Sequence, residues 1–255
     1  MVNRMSAERL KSRRGFVTGA GGGLTAEIAR HLAAEGAALV LAGRTVDRVQ
    51  AVADEIAAAG GVADAVALDV RDAGAVEAAV RAAHDRLGGL DLVINGAAID
   101  TGWAPSADME LGVWDSTIAI NLSGTYYTCR AAIPLMVAGG GGSIVNVTSV
   151  AGHKAWAEDV AYNASKAGVH QMTKTMAVEY ATEGIRANCL APGVIDGGLT
   201  DTVTDDADRD MLVKMHPMMR MGTTDEVAEA AVWLASDASS FTTGWTLAVD
   251  GGFLA

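Results

Sequence analysis

Short apolar runs alternate with longer helical patterns from residue 15 to residue 249, and this alternation restricts the folds open to the chain. Short runs of this kind are typical of strands buried on both faces, and the segments between them have helical spacing. The alternation predicts an α/β fold in which one parallel sheet carries helices on both faces. The predicted strands are Gly15–Gly19, Ala38–Ala42, Val62–Leu68, Leu90–Asn95, Ser143–Val147, Ile185–Leu190 and Trp245–Val249, and the predicted helices include Leu24–Ala34, Val46–Ala59, Ala73–Arg86, Trp114–Val137 and Thr224–Leu234.

Composition limits the partners of such a fold. The 255 residues carry a net charge of −12, which repels nucleic-acid phosphates, so we expect no nucleic-acid partner. No apolar run is long enough to span a bilayer, and the basic N-terminus lacks the apolar segment of a secretory signal. Cys129, Cys189 and the five histidines form no motif with metal-ligand spacing. These features predict a cytoplasmic protein with free buried thiols, no membrane partner and no metal.

A glycine-rich turn, Thr18-Gly19-Ala20-Gly21-Gly22-Gly23-Leu24, joins the first predicted strand to the first predicted helix. Glycines let the backbone approach a pyrophosphate, and a helix N-terminus offers unpaired N–H groups and the positive end of a dipole. At this position in an α/β pattern, the turn predicts a dinucleotide site with Gly19, Gly23 and Leu24 among its contacts. A purely structural loop is the alternative.

Tyr162 and Lys166 stand four residues apart in Tyr162-Asn163-Ala164-Ser165-Lys166, within a segment predicted to be helical. This spacing places both side chains on one helix face, where the ammonium group would favour the phenolate and lower the pKa of the phenol. A tyrosine tuned in this way can exchange a proton with an alcohol or a carbonyl group near neutral pH. Because such pairs also occur on solvated helices, the spacing alone leaves a surface role open.

Together these motifs resemble those of the short-chain dehydrogenase/reductase family, and the likeness covers the chain after about residue 13. The family's TGxxxGxG pattern is met at Gly19 and Gly23, but Thr25 replaces its third glycine. Thr25 could cap the helix, bond a phosphate oxygen or push the helix away from the cofactor. The resemblance implies a Rossmann-type doubly wound fold with a seven-stranded parallel sheet. It implies one domain over residues 14–255, after an N-terminal tail over residues 1–13.

The resemblance also implies a catalytic set, because Asn121, Ser149, Tyr162 and Lys166 occur in the family's order and spacing. Tyr162 would be the general acid/base, and Ser149 would donate a hydrogen bond to the substrate oxygen. Lys166 would lower the pKa of Tyr162 and bind the nicotinamide ribose, while Asn121 would hold a water that links Lys166 to solvent. The implied reaction is hydride transfer between a nicotinamide cofactor and a secondary alcohol or ketone.

The end of the second predicted strand bears on the choice of cofactor. NAD-preferring members of the family often carry an acid where this chain has Gly43, whereas Arg44 could pair with a 2′-phosphate. The resemblance therefore implies NADP(H), with NAD(H) as the alternative. By the same likeness Asp69 and Val70 would lie near the adenine ring, although Asp69 could instead cap the helix that begins at Ala73.

Two further segments are expected at the cofactor site. Asn95 begins Asn95-Gly96-Ala97-Ala98, a looser match to the family's NNAG, and would brace the central strand and the cofactor wall. In Pro192-Gly193-Val194-Ile195, the residues Pro192, Gly193 and Ile195 would meet the nicotinamide carboxamide through the backbone. Gly197 stands where a threonine often bonds the cofactor, and Thr200 or Thr202 could take over that bond.

Substrate identity is less constrained. The irregular segment 193–223 is long for a connection and predicts a substrate lid. Its methionines could instead pack on the core. His153, Trp156 and Trp103 could line the substrate pocket or belong to a packed surface.

Several interpretations of the whole protein stay open. The first is NADP(H)-dependent turnover of a small secondary alcohol or ketone. The second keeps the family but uses NAD, with 3-oxoacyl thioester reduction as a candidate activity. The third, suggested by Thr25, Gly96 and Gly197, is a nucleotide-binding sensor or scaffold with little turnover. By resemblance we also expect a homo-oligomer, either a tetramer or a dimer.

Overall fold

Strands and helices alternate along the chain. A computed structural model describes residues 8–197 and 205–255. The strands are β1 Arg14–Thr18, β2 Ala38–Gly43, β3 Val62–Ala67, β4 Leu92–Asn95, β5 Gly142–Val147, β6 Ile185–Pro192, β7 Ile195–Asp196, β8 Gly222–Thr223 and β9 Thr246–Val249. The helices are α1 Gly23–Ala34, α2 Val46–Ala58, α3 Ala73–Leu87, α4 Leu111–Thr117, α5 Thr125–Ala138, α6 Val160–Tyr180, α7 Asp206–Lys214 and α8 Thr224–Ala235.

One sheet holds seven of these strands in the order β3-β2-β1-β4-β5-β6-β9, and every neighbouring pair is parallel. Val17 of β1 lies beside Leu41 of β2 on one side and beside Ile94 of β4 on the other. This arrangement confirms the predicted doubly wound sheet. The strand order reverses between β1 and β4, and in such sheets ligands bind beyond the carboxyl ends of the strands at this point.

Two apolar layers cover the sheet. Because side chains alternate along a strand, Val17 belongs to a cluster that packs against α1, α2 and α8. Phe16, its neighbour in β1, belongs to the opposite cluster with residues of α3, α5 and α6. The layers hold β1 rigidly between two helical faces, so the turn that follows β1 has a fixed position.

The described residues before β1 pack against the domain, and the tail over residues 1–13 stays a prediction. Leu10 is completely buried, and its backbone N–H donates to the carbonyl of Glu35 at 2.9 Å. The Arg9 guanidinium pairs with the Glu35 carboxylate at 2.6 Å. The prediction of one domain over residues 14–255 stays a prediction. No helix in the described part of the chain is long and apolar enough to cross a membrane.

The predicted lid segment, 193–223, is described only in part. It contains β7, α7 and β8, and the short strands β7 and β8 pair with each other. His216, after α7, is 1% exposed, whereas Met218 and Met219 are each 61% exposed. These two methionines therefore do not form a face packed on the core. Thr200 and Thr202 lie outside the described residues, so their role and the lid itself stay predictions.

Candidate active site

A cavity of about 600 Å³ lies at the carboxyl ends of the central strands. It brings the glycine-rich turn and the Tyr162/Lys166 pair, which are far apart in sequence, to opposite ends of one groove. Most of the residues predicted to contact a cofactor line it: Gly19, Gly23, Leu24, Arg44, Asp69, Val70, Tyr162, Lys166, Pro192, Gly193 and Ile195, together with Ser149. Two residues of the predicted site, Asn95 and Asn121, do not line the cavity and are buried in the protein.

The first end of the cavity is formed by the turn between β1 and α1. Helix α1 begins at Gly23, and its N-cap residue Gly22 provides no side-chain hydrogen bond to the first turn. The first N–H groups of a helix then remain available to an anion. Gly19 has φ +77°, and a Cβ there would lie 2.6 Å from the backbone nitrogen of Ala97. These features fit a pyrophosphate held by backbone N–H groups.

Thr25 occupies space that another departure from the family pattern leaves open. A Cβ on Gly96 would lie 2.3 Å from the Thr25 Oγ1 atom and 2.5 Å from its Cγ2 atom. The Thr25 hydroxyl lies 3.4 Å from the Gly96 carbonyl oxygen, which accepts its weak hydrogen bond, and Thr25 is 6% exposed. Thr25 is therefore not the helix cap. The threonine and the glycine compensate each other, and α1 keeps its place against β4.

Arginine side chains lie beside the glycine-rich turn, at the same end of the cavity, since a Cβ on Gly21 would lie 3.4 Å from the Arg48 Cβ atom. Arg44 lines it as predicted, and Arg48, one turn into α2, lines it as well. Sequence reasoning missed Arg48, although its spacing of four from Arg44 was a usable signal. A Cβ on Gly43 would lie 2.8 Å from the Cγ2 atom of Val49. Any side chain at position 43 would therefore require Val49 to move, and Arg44 and Arg48 bring positive charge to this end of the cavity.

Asp69 is held by a neighbouring arginine. The Arg71 guanidinium donates to the Asp69 Oδ2 atom at 2.5 Å, and this bond is the main cause of the lowered pKa of Asp69. Arg44 lowers that pKa further through its charge. The helix cap that the sequence allowed for Asp69 belongs to Asp72, whose carboxylate accepts from the backbone N–H groups of Gly74 and Ala75. Asp69 is thus left at the cavity wall.

Tyr162 and Lys166 form the opposite end of the cavity. They are 9% and 3% exposed, and the Lys166 Nζ atom lies 5.3 Å from the centre of the Tyr162 ring. Lys166 also donates to the carbonyl oxygen of Val147, at the end of β5, at 3.1 Å. Ser149 follows β5 and shares a hydrogen bond with the Tyr162 side chain. The structure therefore brings these three predicted catalytic residues together.

The expected direction of the Tyr162 pKa shift is wrong. Burial raises the pKa of the Tyr162 phenol far above its usual value, and the Asp100 carboxyl group raises it further. The hydrogen bond with Ser149 opposes this shift but does not reverse it. Burial also lowers the pKa of Lys166 to about 8. The physical reason is that a poorly solvated site penalises both the phenolate and the ammonium.

Asn121 lies in a π-helical turn, Ile118–Gly124, between α4 and α5. Its side-chain amide makes two hydrogen bonds to the backbone of Ile99. Asn121 Oδ1 accepts from the Ile99 N–H at 2.8 Å, and Asn121 Nδ2 donates to the Ile99 carbonyl oxygen at 2.9 Å. Nδ2 also lies 3.2 Å from the Ser165 Oγ atom of α6. Asn121 thus fixes the loop after β4 against the helix that carries Tyr162 and Lys166.

Asn95 links β4 to β5 through its side-chain amide. Its Nδ2 atom donates to the Oδ1 atom of Asn146 at 2.8 Å, and Asn146 in turn donates to the Thr173 hydroxyl at 2.8 Å. This chain of bonds crosses from β4 through β5 to α6. The buried Oδ1 atom of Asn95 has no partner among the described residues.

The aromatic residues near the substrate side have fixed partners. Trp156 stacks on Phe253 with ring centres 5.6 Å apart and an interplanar angle of 8°. The indole N–H of Trp103 donates to the Oδ1 atom of Asp100 at 3.1 Å. The His153 ring lies 4.3 Å from that of His170. Sequence reasoning gave no role to Asp100, and it gave none to Phe253 because its partner Trp156 comes from a distant segment.

A separate polar cluster lies between α1 and α8. Ligand atoms of Glu27, His31 and Asp225 lie within 4.8 Å of one another. The Glu27 carboxylate pairs with Arg30 at 2.9 Å, and His31 Nε2 lies 2.9 Å from Asp225 Oδ1. These contacts form an ion-pair network that joins the two helices. The absence of a metal stays a prediction.

Comparison with known proteins places this geometry in a family. A family model described as enoyl-(acyl carrier protein) reductase matches residues 19–254. D-threitol dehydrogenase of Mycolicibacterium smegmatis is 38% identical over 96% of this chain and 94% of its own length. The chain belongs to the short-chain dehydrogenase/reductase family. As a member of that family, it is an oxidoreductase that acts on CH–OH or C=O groups with a nicotinamide cofactor.

Other short-chain dehydrogenase/reductases resemble the chain nearly as closely. The 3-oxoacyl-[acyl-carrier-protein] reductase of Chlamydia pneumoniae is 36% identical over 93% of this chain and 95% of its own length. A crystal structure of gluconate 5-dehydrogenase from Burkholderia cenocepacia, in complex with NADP and tartrate, superposes with a TM-score of 0.92. It is 37% identical and covers 97% of each chain.

Proposed function

We propose that this enzyme transfers a hydride between NADP(H) and a small secondary alcohol or ketone, with Tyr162 as the general acid/base. The observation that carries this proposal is the common cavity, which joins the Tyr162, Lys166 and Ser149 end to the helix N-terminus and Arg44 at the other end. A phosphate-binding end and a proton-transfer end in one groove are what a nicotinamide-dependent reaction requires.

The raised pKa of Tyr162 suits the reductive direction. A phenol is protonated at neutral pH and burial raises the pKa of Tyr162 further, so Tyr162 is in the form that gives a proton to the carbonyl oxygen of a ketone. The Ser149 hydroxyl, within hydrogen-bond reach of Tyr162, would turn its one proton from Tyr162 to the same carbonyl oxygen and stabilise the charge that develops there. Lys166 would hold ribose hydroxyls, and Asn121 would keep the pocket loop in position. The bound cofactor supplies the hydride.

The arginines beside the glycine-rich turn favour NADP(H) over NAD(H). Arg44 and Arg48 line the same end of the cavity, where their charges could hold a 2′-phosphate. The short distance from a Gly43 Cβ to Val49 works against the acid that would bind the ribose hydroxyls of NAD. Gluconate 5-dehydrogenase of Burkholderia cenocepacia, which was crystallised with NADP, supports the same choice.

The substrate would be a small alcohol or its ketone. D-threitol dehydrogenase and gluconate 5-dehydrogenase act on polyhydroxylated compounds by name, and this supports a hydroxylated substrate here. The reductase of Chlamydia pneumoniae supports 3-oxoacyl thioester reduction as the second candidate.

Steady-state turnover tests the proposed function. The purified enzyme would be mixed with NADPH or NADH and with 2-butanone, erythrulose or acetoacetyl-coenzyme A, and consumption of the reduced cofactor followed by absorbance. We expect turnover of a hydroxylated ketone with kcat/KM at least tenfold higher for NADPH than for NADH. Preference for NADH would overturn the cofactor assignment. Turnover of acetoacetyl-coenzyme A alone would favour the second candidate.

We also propose that the protein forms a homo-oligomer, because large apolar side chains stand on the surface beside β9. Phe241 is fully exposed, and Trp245 is 64% exposed. Exposed aromatic residues grouped in this way are typical of protein–protein contacts. Sedimentation velocity should show a dimer or tetramer for the wild type and a smaller species for Phe241→Asp. A monomeric wild type would contradict the proposal.

A further inference from the structure

Two carboxyl groups stand beside Tyr162 and take no part in the proposed hydride transfer. Asp100 follows β4, and Asp159 is the N-cap residue of α6, three residues before Tyr162. The segments that carry them are joined, because Ala104 forms a parallel β-bridge with Asp159. The Ala104 N–H also donates to the Glu158 carbonyl oxygen at 2.8 Å. We call Asp100 and Asp159 the acidic pair.

The backbone around the acidic pair is held in place. Asn121 clamps Ile99, the residue before Asp100, through two hydrogen bonds of 2.8 Å and 2.9 Å. Glu158, the residue before Asp159, has φ +63°, in the left-handed region that a non-glycine residue seldom adopts. Strained conformations of this kind persist where the surroundings enforce them, and they are enriched at functional sites.

Asp159 is buried without a charged partner. It is 5% exposed, and burial raises the pKa of its carboxyl group to about 7. The Asp100 carboxyl raises this pKa further, and only the backbone N–H of Tyr162 lowers it. Among the described residues, no side-chain donor or cation offsets the burial of this carboxyl group. A hydrogen-bond donor that arrives from outside the chain, such as a ligand hydroxyl group, would stabilise this carboxyl group.

The acidic pair acts on the same groups as the reaction. Both carboxyl groups raise the pKa of the Tyr162 phenol, and Lys166 lowers the pKa of Asp100 through its charge. Asp100 also accepts the indole N–H of Trp103 at 3.1 Å, which leaves its other oxygen for a further donor. Ile99, which precedes Asp100, and Tyr162, three residues after Asp159, both line the cavity, so the acidic pair lies next to residues of its wall.

We propose that Asp100 and Asp159 recognise a second hydroxyl group of the substrate, next to the carbinol that reacts at Tyr162. This inference rests on the proposed function and narrows it to diols and polyols. Carboxyl groups accept hydrogen bonds from hydroxyl groups, and a pair that shares a proton can also donate one back. A substrate carboxylate placed at the acidic pair would meet like charge, so we expect poor turnover of a hydroxy acid whose carboxylate takes the place of the second hydroxyl group.

The test compares three four-carbon substrates with NADP⁺: 2,3-butanediol, 2-butanol and 3-hydroxybutyrate. The variants are Asp159→Asn and Asp100→Asn, and the control is Asp108→Asn, an exposed aspartate in the same loop. A changed Tyr162 pKa would affect the diol and 2-butanol alike, so the ratio of their kcat/KM values isolates recognition. We expect that ratio to fall about tenfold or more in both variants, while 3-hydroxybutyrate improves relative to 2-butanol. The control should leave the ratio unchanged.

Equal losses for 2,3-butanediol and 2-butanol would overturn the inference, because they would mean that the acidic pair has only a structural role. An unchanged ratio would overturn it as well. A second measurement does not depend on turnover: calorimetric titration of erythritol into the Tyr162→Phe protein saturated with NADP⁺. Adding Asp159→Asn should weaken erythritol binding about tenfold. If Asp159→Asn weakens erythritol binding while the wild-type enzyme oxidises none of the alcohols, the proposed function is wrong. The role of the acidic pair in recognising a hydroxyl group is then supported.

Discussion

Replacing Tyr162 by phenylalanine is expected to lower kcat/KM about 10²–10⁴-fold, the usual contribution of general acid–base catalysis. The substitution removes one oxygen atom from a side chain that is 9% exposed, so the packing of α6 should persist. Loss of the phenol removes the proton donor and leaves the cavity walls intact. Affinity for NADPH, measured by quenching of tryptophan fluorescence, should therefore stay within about threefold of the wild type.

Tyr180→Phe is the matched control for this variant. Tyr180 ends the same helix but lies outside the cavity, so its loss should leave both turnover and cofactor affinity near the wild-type values. A Tyr162→Phe enzyme with near wild-type turnover would contradict the proposed mechanism. Loss of NADPH binding together with turnover would show that the substitution had disturbed the cavity and not the proton transfer.

Replacing Arg44 by aspartate should shift the cofactor preference towards NAD(H). A bidentate arginine–phosphate contact becomes a repulsion between like charges, which we expect to weaken NADPH binding about 10–100-fold. NADH carries no 2′-phosphate, so its affinity should stay the same or improve, since an aspartate at this end can accept from ribose hydroxyls. Arg48 remains in the variant, and its charge should keep some residual affinity for NADPH.

The measurement is kcat/KM for NADPH and for NADH with a single ketone. Arg81→Asp makes the same charge change on the exposed surface of α3, where Arg81 is 61% exposed, and it should leave the ratio of the two values unchanged. An Arg44→Asp enzyme with the wild-type ratio would remove Arg44 from the site. In that case Arg48→Asp would show whether the second arginine holds the phosphate instead.

The sheet could be predicted from sequence because each of its strands is a short apolar run bounded by turn residues. The predicted strand Ala38–Ala42 differs from the observed β2 by one residue at its end, and the predicted helix Val46–Ala59 differs from α2 by one residue. Local pattern decides such elements, since the residues that must be buried lie in the segment itself. The glycine-rich turn and the Tyr162/Lys166 pair could be predicted for the same reason, because each is a motif within one short segment.

Contacts between distant segments could not be predicted in the same way. Thr25 fits beside Gly96 because two backbones 71 residues apart approach closely, and neither segment alone indicates this. The N-terminal residues before β1 look like a polar tail in sequence, yet Leu10 is buried. Each case depends on the assembled fold and not on local pattern.

The direction of the Tyr162 pKa shift was predicted wrongly for a related reason. The spacing of Tyr162 and Lys166 describes their mutual attraction, but it does not describe burial or the Asp100 carboxyl group from another loop. Desolvation of a fully buried phenol can exceed the effect of one nearby charge. The acidic pair could not be predicted from sequence, because its two members lie 59 positions apart. Only the bridge between Ala104 and Asp159 brings their segments together.

Deuterium transfer tests the central claim most directly. The enzyme would reduce erythrulose with NADPH that carries deuterium at C4 of the nicotinamide, on one face or on the other, and mass spectrometry of the product would locate the label. We predict one deuterium on the carbinol carbon, delivered from one face of the ring only, and no such product from the Tyr162→Phe enzyme on the same timescale. A reduced product without deuterium on that carbon would contradict hydride transfer.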